Sequence, residues 1–280
     1  MKFLRKIGNF FVAAIPYWIF VGIQLAVSTV GTIILTFIEI AKAAPSGNID
    51  PNDLTESILS SQSVLIISVV ANIACIAAAL IEFKVRKLKF KDISPVNQNK
   101  KVYIFAFVFT IGAFFVLQTA NAAFLGIMGV TEADSTQEML ASSTLFTFII
   151  ALTAPFSEEL VFRGLMVKTF GTYFSTPFSV IAITAAFMVL HSANMKCYAL
   201  LFGLVLMFLR YKFGDWKLCL VFHFTANLMS CLLTLLGDDT ADRVMSVGTV
   251  VGLVIAAAAV YFMIKFANKP QKEKLSVGMD

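Results

Sequence analysis

Histidine is scarce in this chain: 280 residues contain only two. Charge is scarce too, at 14% of residues against roughly 25% in an ordinary soluble domain, while 59% are hydrophobic and the mean hydropathy is +0.85. So little polar surface cannot cover a soluble globule, and the solvent for most of the chain is the bilayer. The four cysteines, Cys75, Cys197, Cys219 and Cys231, have no Cys-x-x-Cys spacing, which argues against a redox pair or zinc-thiolate site and for small apolar packing residues. Several hydrolase signatures are missing as well. No His-Glu-x-x-His is present, Gly214-Asp215 and Gly237-Asp238 lack the first glycine of an aspartyl Gly-x-Gly-Asp, and no Gly-x-Ser-x offers a serine to a histidine. No fixed-period repeat or low-complexity tract interrupts the chain.

What is present is a succession of apolar runs. Crossing ~30 Å of hydrocarbon takes about 20 helical residues, and about eight stretches are predicted to do so or nearly so. They are Phe10–Ile38, Ser63–Phe83, Val102–Val130, Ala141–Phe170, Phe178–Met195, Cys197–Tyr211, Trp216–Leu236 and Val244–Phe266. The sixth is short and is parted from the fifth only by a turn at Asn194-Met195-Lys196. The expected fold class is all-α, a polytopic membrane protein with its core in the fourth to seventh spans. Pro16 predicts a kink or an interfacial first turn in the first span. The Met1–Lys6 charge cluster and the apolar run ending before Ala41-Lys42-Ala43 imitate a signal peptide, but a signal h-region holds only about 7–15 residues, so an uncleaved span is expected.

Basic residues set the expected orientation, because Lys and Arg beside a span stay on the cytoplasmic side. With the N-terminus inside, that side collects Lys2, Arg5, Lys6, the run from Lys84 to Lys101, Lys168, Arg210, Lys212, Lys217 and the tail lysines from Lys265 to Lys274. The outer side holds only Lys42, Lys196 and Arg243, amid acidic and polar loops at Asn48–Glu56, Thr131–Glu138 and Gly237–Asp239. Both termini are expected in the cytoplasm. The net charge of +5 follows from this topology, and no nucleic-acid partner is implied.

Ionisable groups do occur inside the apolar stretches, and they fall in one block. Placing charge in hydrocarbon costs from ~2.5 to over 10 kcal/mol per group, so such residues mark function. Glu159 and Arg163, four apart, share a helix face, while Glu158 points elsewhere; Arg163 is expected to neutralise and orient Glu159, leaving Glu158 for chemistry on a water. His223 and Asn227 are also four apart and present an imidazole beside an amide, a pair able to donate to a developing oxyanion. His191 follows Phe187 by one turn. At 1.5 Å per residue from the cytoplasmic ends, Glu158 lies ~18 Å deep, His191 ~20 Å, His223 ~10 Å and Asn227 ~16 Å. These levels overlap, as side chains facing one pocket would.

Glu158-Glu159-x-x-x-Arg163, Phe187-x-x-x-His191 and His223-x-x-x-Asn227, in this order on successive spans, resemble the signature of the CAAX-processing type II and bacteriocin-processing family of intramembrane proteases, also called Abi or CPBP proteins. The resemblance covers residues 141–236. It implies an endopeptidase in which Glu158 and His191 activate water, His223 and Asn227 hold the oxyanion, and Glu159, Arg163 and Phe187 support the site. Eukaryotic members are type II CAAX prenyl endopeptidases of the endoplasmic reticulum; bacterial members serve bacteriocin immunity, peptide maturation and surface display. The implied partners are the lipid bilayer and a membrane-associated peptide or protein, a prenylated CAAX tail or a leader-bearing, bacteriocin-like peptide. The implied location is a plasma membrane if bacterial, the endoplasmic reticulum if eukaryotic. One departure is Gly203, followed four residues on by Met207 where the family commonly has a second glycine.

Three regions result: 1–140 as a three-span scaffold, 141–236 as the protease core, and 237–280 as an eighth span with a cytoplasmic tail. The cofactor expectation is none, with a divalent metal such as zinc on Glu158, His191 and His223 as the alternative. A rival from another class is a non-catalytic scaffold or immunity protein of the same family. A transporter is disfavoured, since no two corresponding halves with interrupted helices are visible.

Overall fold

A computed structural model of the chain describes residues 2–46, 54–55, 57–58, 62–129, 144–236 and 238–268. Among the described residues there are helices and no strands. In chain order they are α1 (Lys2–Ala13), α2 (Ile15–Ala43), α3 (Gln62–Val85), the short α4 (Phe90–Ile93), α5 (Lys100–Met128) and α6 (Thr144–Glu159). After a π-helical segment, Leu160–Met166, come α7 (Val167–Tyr173), α8 (Thr176–Val189), α9 (Lys196–Phe213), α10 (Trp216–Thr234) and α11 (Asp238–Phe266). The fold is all-α and polytopic: six helices are long and apolar enough to cross a membrane, namely Ile15–Ala43, Val64–Val85, Lys100–Met128, Ala193–Phe213, Trp216–Leu233 and Thr240–Phe266.

Local chemistry sets the helix ends. Pro16 stands in the first turn of α2, and the chain breaks at Ala14, so α1 is a separate helix rather than the start of the first span. Asn99 caps α5 by accepting from Lys101 N at 3.0 Å, and Asp215 caps α10 by accepting from Lys217 N at 3.1 Å. α5 and α9 end at Gly129 and Gly214, each with φ 67°, the left-handed stop that glycine adopts without strain.

Two stretches differ from their sequence-based expectation. The fourth is helical from Thr144 to Tyr173, but its winding widens to π over Leu160–Met166. The fifth was expected to run to Met195 and stops at Val189 after 14 residues. Beyond it His191 Nδ1 meets Phe187 O and Ser192 Oγ bonds Asn194 Oδ1 at 2.7 Å; such local side-chain bonds compete with continued helix. The sixth stretch, short on sequence, gains the Ala193–Met195 turn and is long enough to span.

α11 lies along α5 with backbone in contact with backbone: a Cβ on Gly112 would sit 2.4 Å from Gly252 O and 2.8 Å from Ala256 N. α2 packs on α3, α3 on α6, and α10 on both α5 and α6. The π segment is buried along its whole length, with α2, α3, α8, α9 and α10 packed around it. One end of the bundle is tied by polar bonds. Gln98 Nε2 donates to Phe213 O at 2.7 Å, Asn268 N donates to Gln98 Oε1 at 2.8 Å, and Asp215 accepts from Ser94 Oγ and Tyr103 OH. These bonds gather the helix ends that carry Lys100, Lys101, Lys212, Lys217 and Lys265. The loop Thr131–Glu138, most of Asn48–Glu56, Gly237 and the tail lysines after Asn268 lie outside the described residues. None of the four cysteines forms a disulfide, and Cys75, Cys219 and Cys231 are buried.

Candidate active site

Glu158 and Glu159 close α6, and Arg163 sits in the π segment one turn on. Arg163 Nη1 donates to Glu159 Oε1 at 3.1 Å, and both side chains are 0% exposed. His223, from α10, donates from Nδ1 to the same oxygen at 2.8 Å. A fully desolvated ion pair gains little by itself, since removing two charges from water costs several kcal/mol. Here the carboxylate takes two donors, and the guanidinium carbon lies 4.4 Å from the centroid of Phe187, a cation–π contact.

Glu158 faces another way, as the helix spacing required. Its side chain is 20% exposed, its Oε2 has no hydrogen-bond partner, and it lies 3.9 Å from His223 Nε2. His191 stands just beyond α8, with Nδ1 2.9 Å from Phe187 O. A carbonyl only accepts, so Nδ1 carries the proton and Nε2 of a neutral His191 is left with a lone pair. Glu158, His191, His223 and Asn227 all line one cavity of about 180 Å³, together with Phe187, Tyr198, Phe202 and Ser230. Three separate elements thus bring their motif residues to one pocket. Phe187 is buried between them, its ring centroid 4.6 Å from that of His191 and 6.1 Å from that of His223.

Gly203 lies where α9 passes this cluster. A Cβ there would be 3.0 Å from Thr184 Cγ2, 3.5 Å from Phe187 Cδ1 and 3.6 Å from Arg163 Nη2, so the glycine makes room for the stacked Arg163–Phe187 pair. Met207, four residues on, is buried at 1% exposure.

Several site residues escaped the sequence reading. Arg210, expected among the cytoplasmic cations, is 7% exposed and donates from Nε to Arg163 O at 2.9 Å, bonding the backbone of the π segment. Asn72 accepts at Oδ1 from Gln24 Nε2 and from Ser157 Oγ, each at 3.1 Å, which ties the first two spans to the residue before Glu158. The available signal was a lone amide in an otherwise apolar run, polar but not ionisable.

The donor set bears on the metal alternative. Both imidazoles have one nitrogen engaged by an oxygen and the other unengaged, as metal-bound histidines do. Yet among the described residues no three His, Cys, Asp or Glu groups converge closely enough to hold an ion. The residues as arranged do not fit a metal.

The fold and this chamber define a class: a polytopic α-helical membrane protein with a glutamate, two histidines and an asparagine around one cavity. Residues 140–229 match the family model Rce1-like, described as type II CAAX prenyl endopeptidase Rce1-like, and the match takes in every motif residue from Glu158 to Asn227. The resemblance carried by the motifs is thereby supported by an independent comparison, and the family is one of CAAX-type membrane proteases. No curated protein and no solved structure matches the chain.

Proposed function

We propose that this protein is an intramembrane endopeptidase cleaving a peptide bond in a membrane-associated substrate, a prenylated CAAX-type tail or a leader-bearing peptide. The observation that carries the reading is the single cavity lined by Glu158, His191, His223 and Asn227. Glu158 and His191 Nε2 are the two acceptors that can take a proton from water as it attacks the carbonyl. The oxyanion needs donors, which Asn227 and His223 Nε2 supply. Because His223 Nδ1 already donates to Glu159, Nε2 donates only when the ring is an imidazolium. The charges then balance, two carboxylates against Arg163 and His223. Collapse of the tetrahedral intermediate breaks the C–N bond; the proton taken from water passes to the leaving amine and restores the base.

In this reading residues 141–236 are the protease core, 1–140 a three-span region beside it, and 237–280 a closing span with its tail. The clustering of cationic helix ends on one face supports cytoplasmic termini and a site reached from the cytoplasmic leaflet.

The test is cleavage of a farnesylated CAAX peptide and of leader-bearing peptides by detergent-purified full-length protein, with and without chelator. Glu158→Gln and His191→Ala are expected to lose about 10²-fold or more in kcat with unchanged melting temperature, the scale of a lost general base. Cleavage of none of these peptides by wild type would sink the reading in favour of a scaffold, and undiminished cleavage by Glu158→Gln would remove Glu158 from the chemistry.

A further inference from the structure

A second cavity, of about 600 Å³, adjoins the first and shares Glu158, His191, Met195 and Ser230 with it. Its size falls within the roughly 300–1,000 Å³ of ligand sites. Its far wall comes from α2 and α3, which place Phe20, Val21 and Leu25 there together with Gln24, Ser68 and Asn72. Asn72 is only 5% exposed, and its Oδ1 is taken by two donors, Gln24 Nε2 and Ser157 Oγ. The single proton of Ser157 Oγ also reaches Ala154 O at 2.9 Å, so the turn of the Asn72 amide rests on its pairing with Gln24. Its Nδ2 therefore points away from both, with no partner, at a residue that lines the chamber. Gln24 has spent its nitrogen on Asn72, which leaves its Oε1 as an unmatched acceptor on the same wall.

A purely structural role for this pair explains the bonds among Gln24, Asn72 and Ser157. It leaves over one donor and one acceptor, one on each amide, at residues that line the chamber wall. One donor next to one acceptor is the complement of a peptide N–H and C=O.

We infer that Gln24 and Asn72 form a main-chain subsite that holds the substrate in extended form beside Glu158, with Asn72 Nδ2 donating to a substrate carbonyl and Gln24 Oε1 accepting from a substrate N–H. This rests on the endopeptidase reading and narrows its substrate class. A helical segment has its own amides already paired, so the subsite selects an extended tail, and the apolar side chains around it favour apolar residues there. The first two spans then belong to the substrate site as well as to the scaffold.

The probe is a farnesylated peptide ending in a CAAX sequence, with a series of analogues in which one uncleaved amide at a time is replaced by an ester, which removes its N–H. Gln24→Met is expected to raise KM about tenfold, the scale of one lost hydrogen bond, with kcat within about twofold. One ester analogue should raise the wild-type KM similarly and cost nothing further in Gln24→Met. Unchanged KM in that variant, or losses that simply add, overturns the subsite. Asn72→Leu should raise KM as well; if it fails to fold, the ester series still decides, because it leaves the protein untouched. If wild type cleaves none of these peptides, the prenylated-tail form of the endopeptidase reading fails by itself. The subsite is then judged from peptide binding to Glu158→Gln protein, with and without Gln24→Met: the same coupling to one ester supports it, and equal Kd values overturn it.

Discussion

The guanidinium carbon of Arg163 sits 4.4 Å from the ring centroid of Phe187. The same ring contacts both imidazoles, so one apolar side chain sets the spacing of a cation and the two histidines. Phe187→Leu keeps the apolar volume roughly but removes the flat face that Arg163 covers, a contact of about 0.5–2 kcal/mol. The expected outcome is a folded protein with reduced kcat on the farnesylated peptide and a lower melting temperature. A variant with wild-type turnover would show that Phe187 only fills space.

Arg163 and Glu159 stand or fall together. Removing one partner of a fully buried ion pair strands the other charge, at about 3–5 kcal/mol, whereas removing both is far milder. Arg163→Met and Glu159→Gln are each expected to destabilise the protein, and the double variant should recover much of the loss. Thermal unfolding in detergent across the double-mutant cycle measures the coupling. Additive losses would mean that the 3.1 Å contact carries no energy.

The Glu159–Arg163 pairing was legible in the sequence because a spacing of four has one meaning on a helix. The π winding of Leu160–Met166 was not. Every face of that segment is buried, so hydrophobic residues carry no phase from which a change of winding could be read. The end of α8 was hidden for a related reason: Met188-Val189-Leu190 continues the apolar run, and what stops the helix is the bonding of His191 and Ser192 just beyond it. Asn72 and Gln24 are polar without being ionisable, and their meaning emerges only when α2, α3 and α6 are seen side by side.

The α5–α11 contact offers a test free of catalysis. A methyl at Gly112 would strike Gly252 O and Ala256 N, backbone atoms that cannot rotate aside, so the helices must part. Gly112→Ala is expected to destabilise by about 1–3 kcal/mol, the usual cost of overpacking. Gly126→Ala, on the same helix with nothing within 4 Å, should be neutral or stabilising by about 0.5–1 kcal/mol from reduced chain entropy. Equal melting temperatures for the two variants would contradict the close crossing.

Arg210 links catalysis to backbone shape. Its Nε donates to the carbonyl of Arg163 from inside the bundle, and the π segment it bonds lies directly after Glu158 and Glu159. Lysine has no Nε–H at that point in the side chain and cannot reproduce the bond, which for a charged donor contributes about 1.5–3 kcal/mol. If the bond holds the segment in register, Arg210→Lys lets the carboxylates shift against His223, whose contact with Glu159 is only 2.8 Å long. The expected signature is a fall in kcat of about ten- to a hundredfold, from a misplacement of the reacting groups, with KM little changed and helix content intact by circular dichroism. Lys212→Met, two residues on at an exposed position, serves as the control and should leave both constants unchanged. A rise in KM alone would place Arg210 with substrate binding, and wild-type kinetics in Arg210→Lys would show that the π segment keeps its shape without this bond.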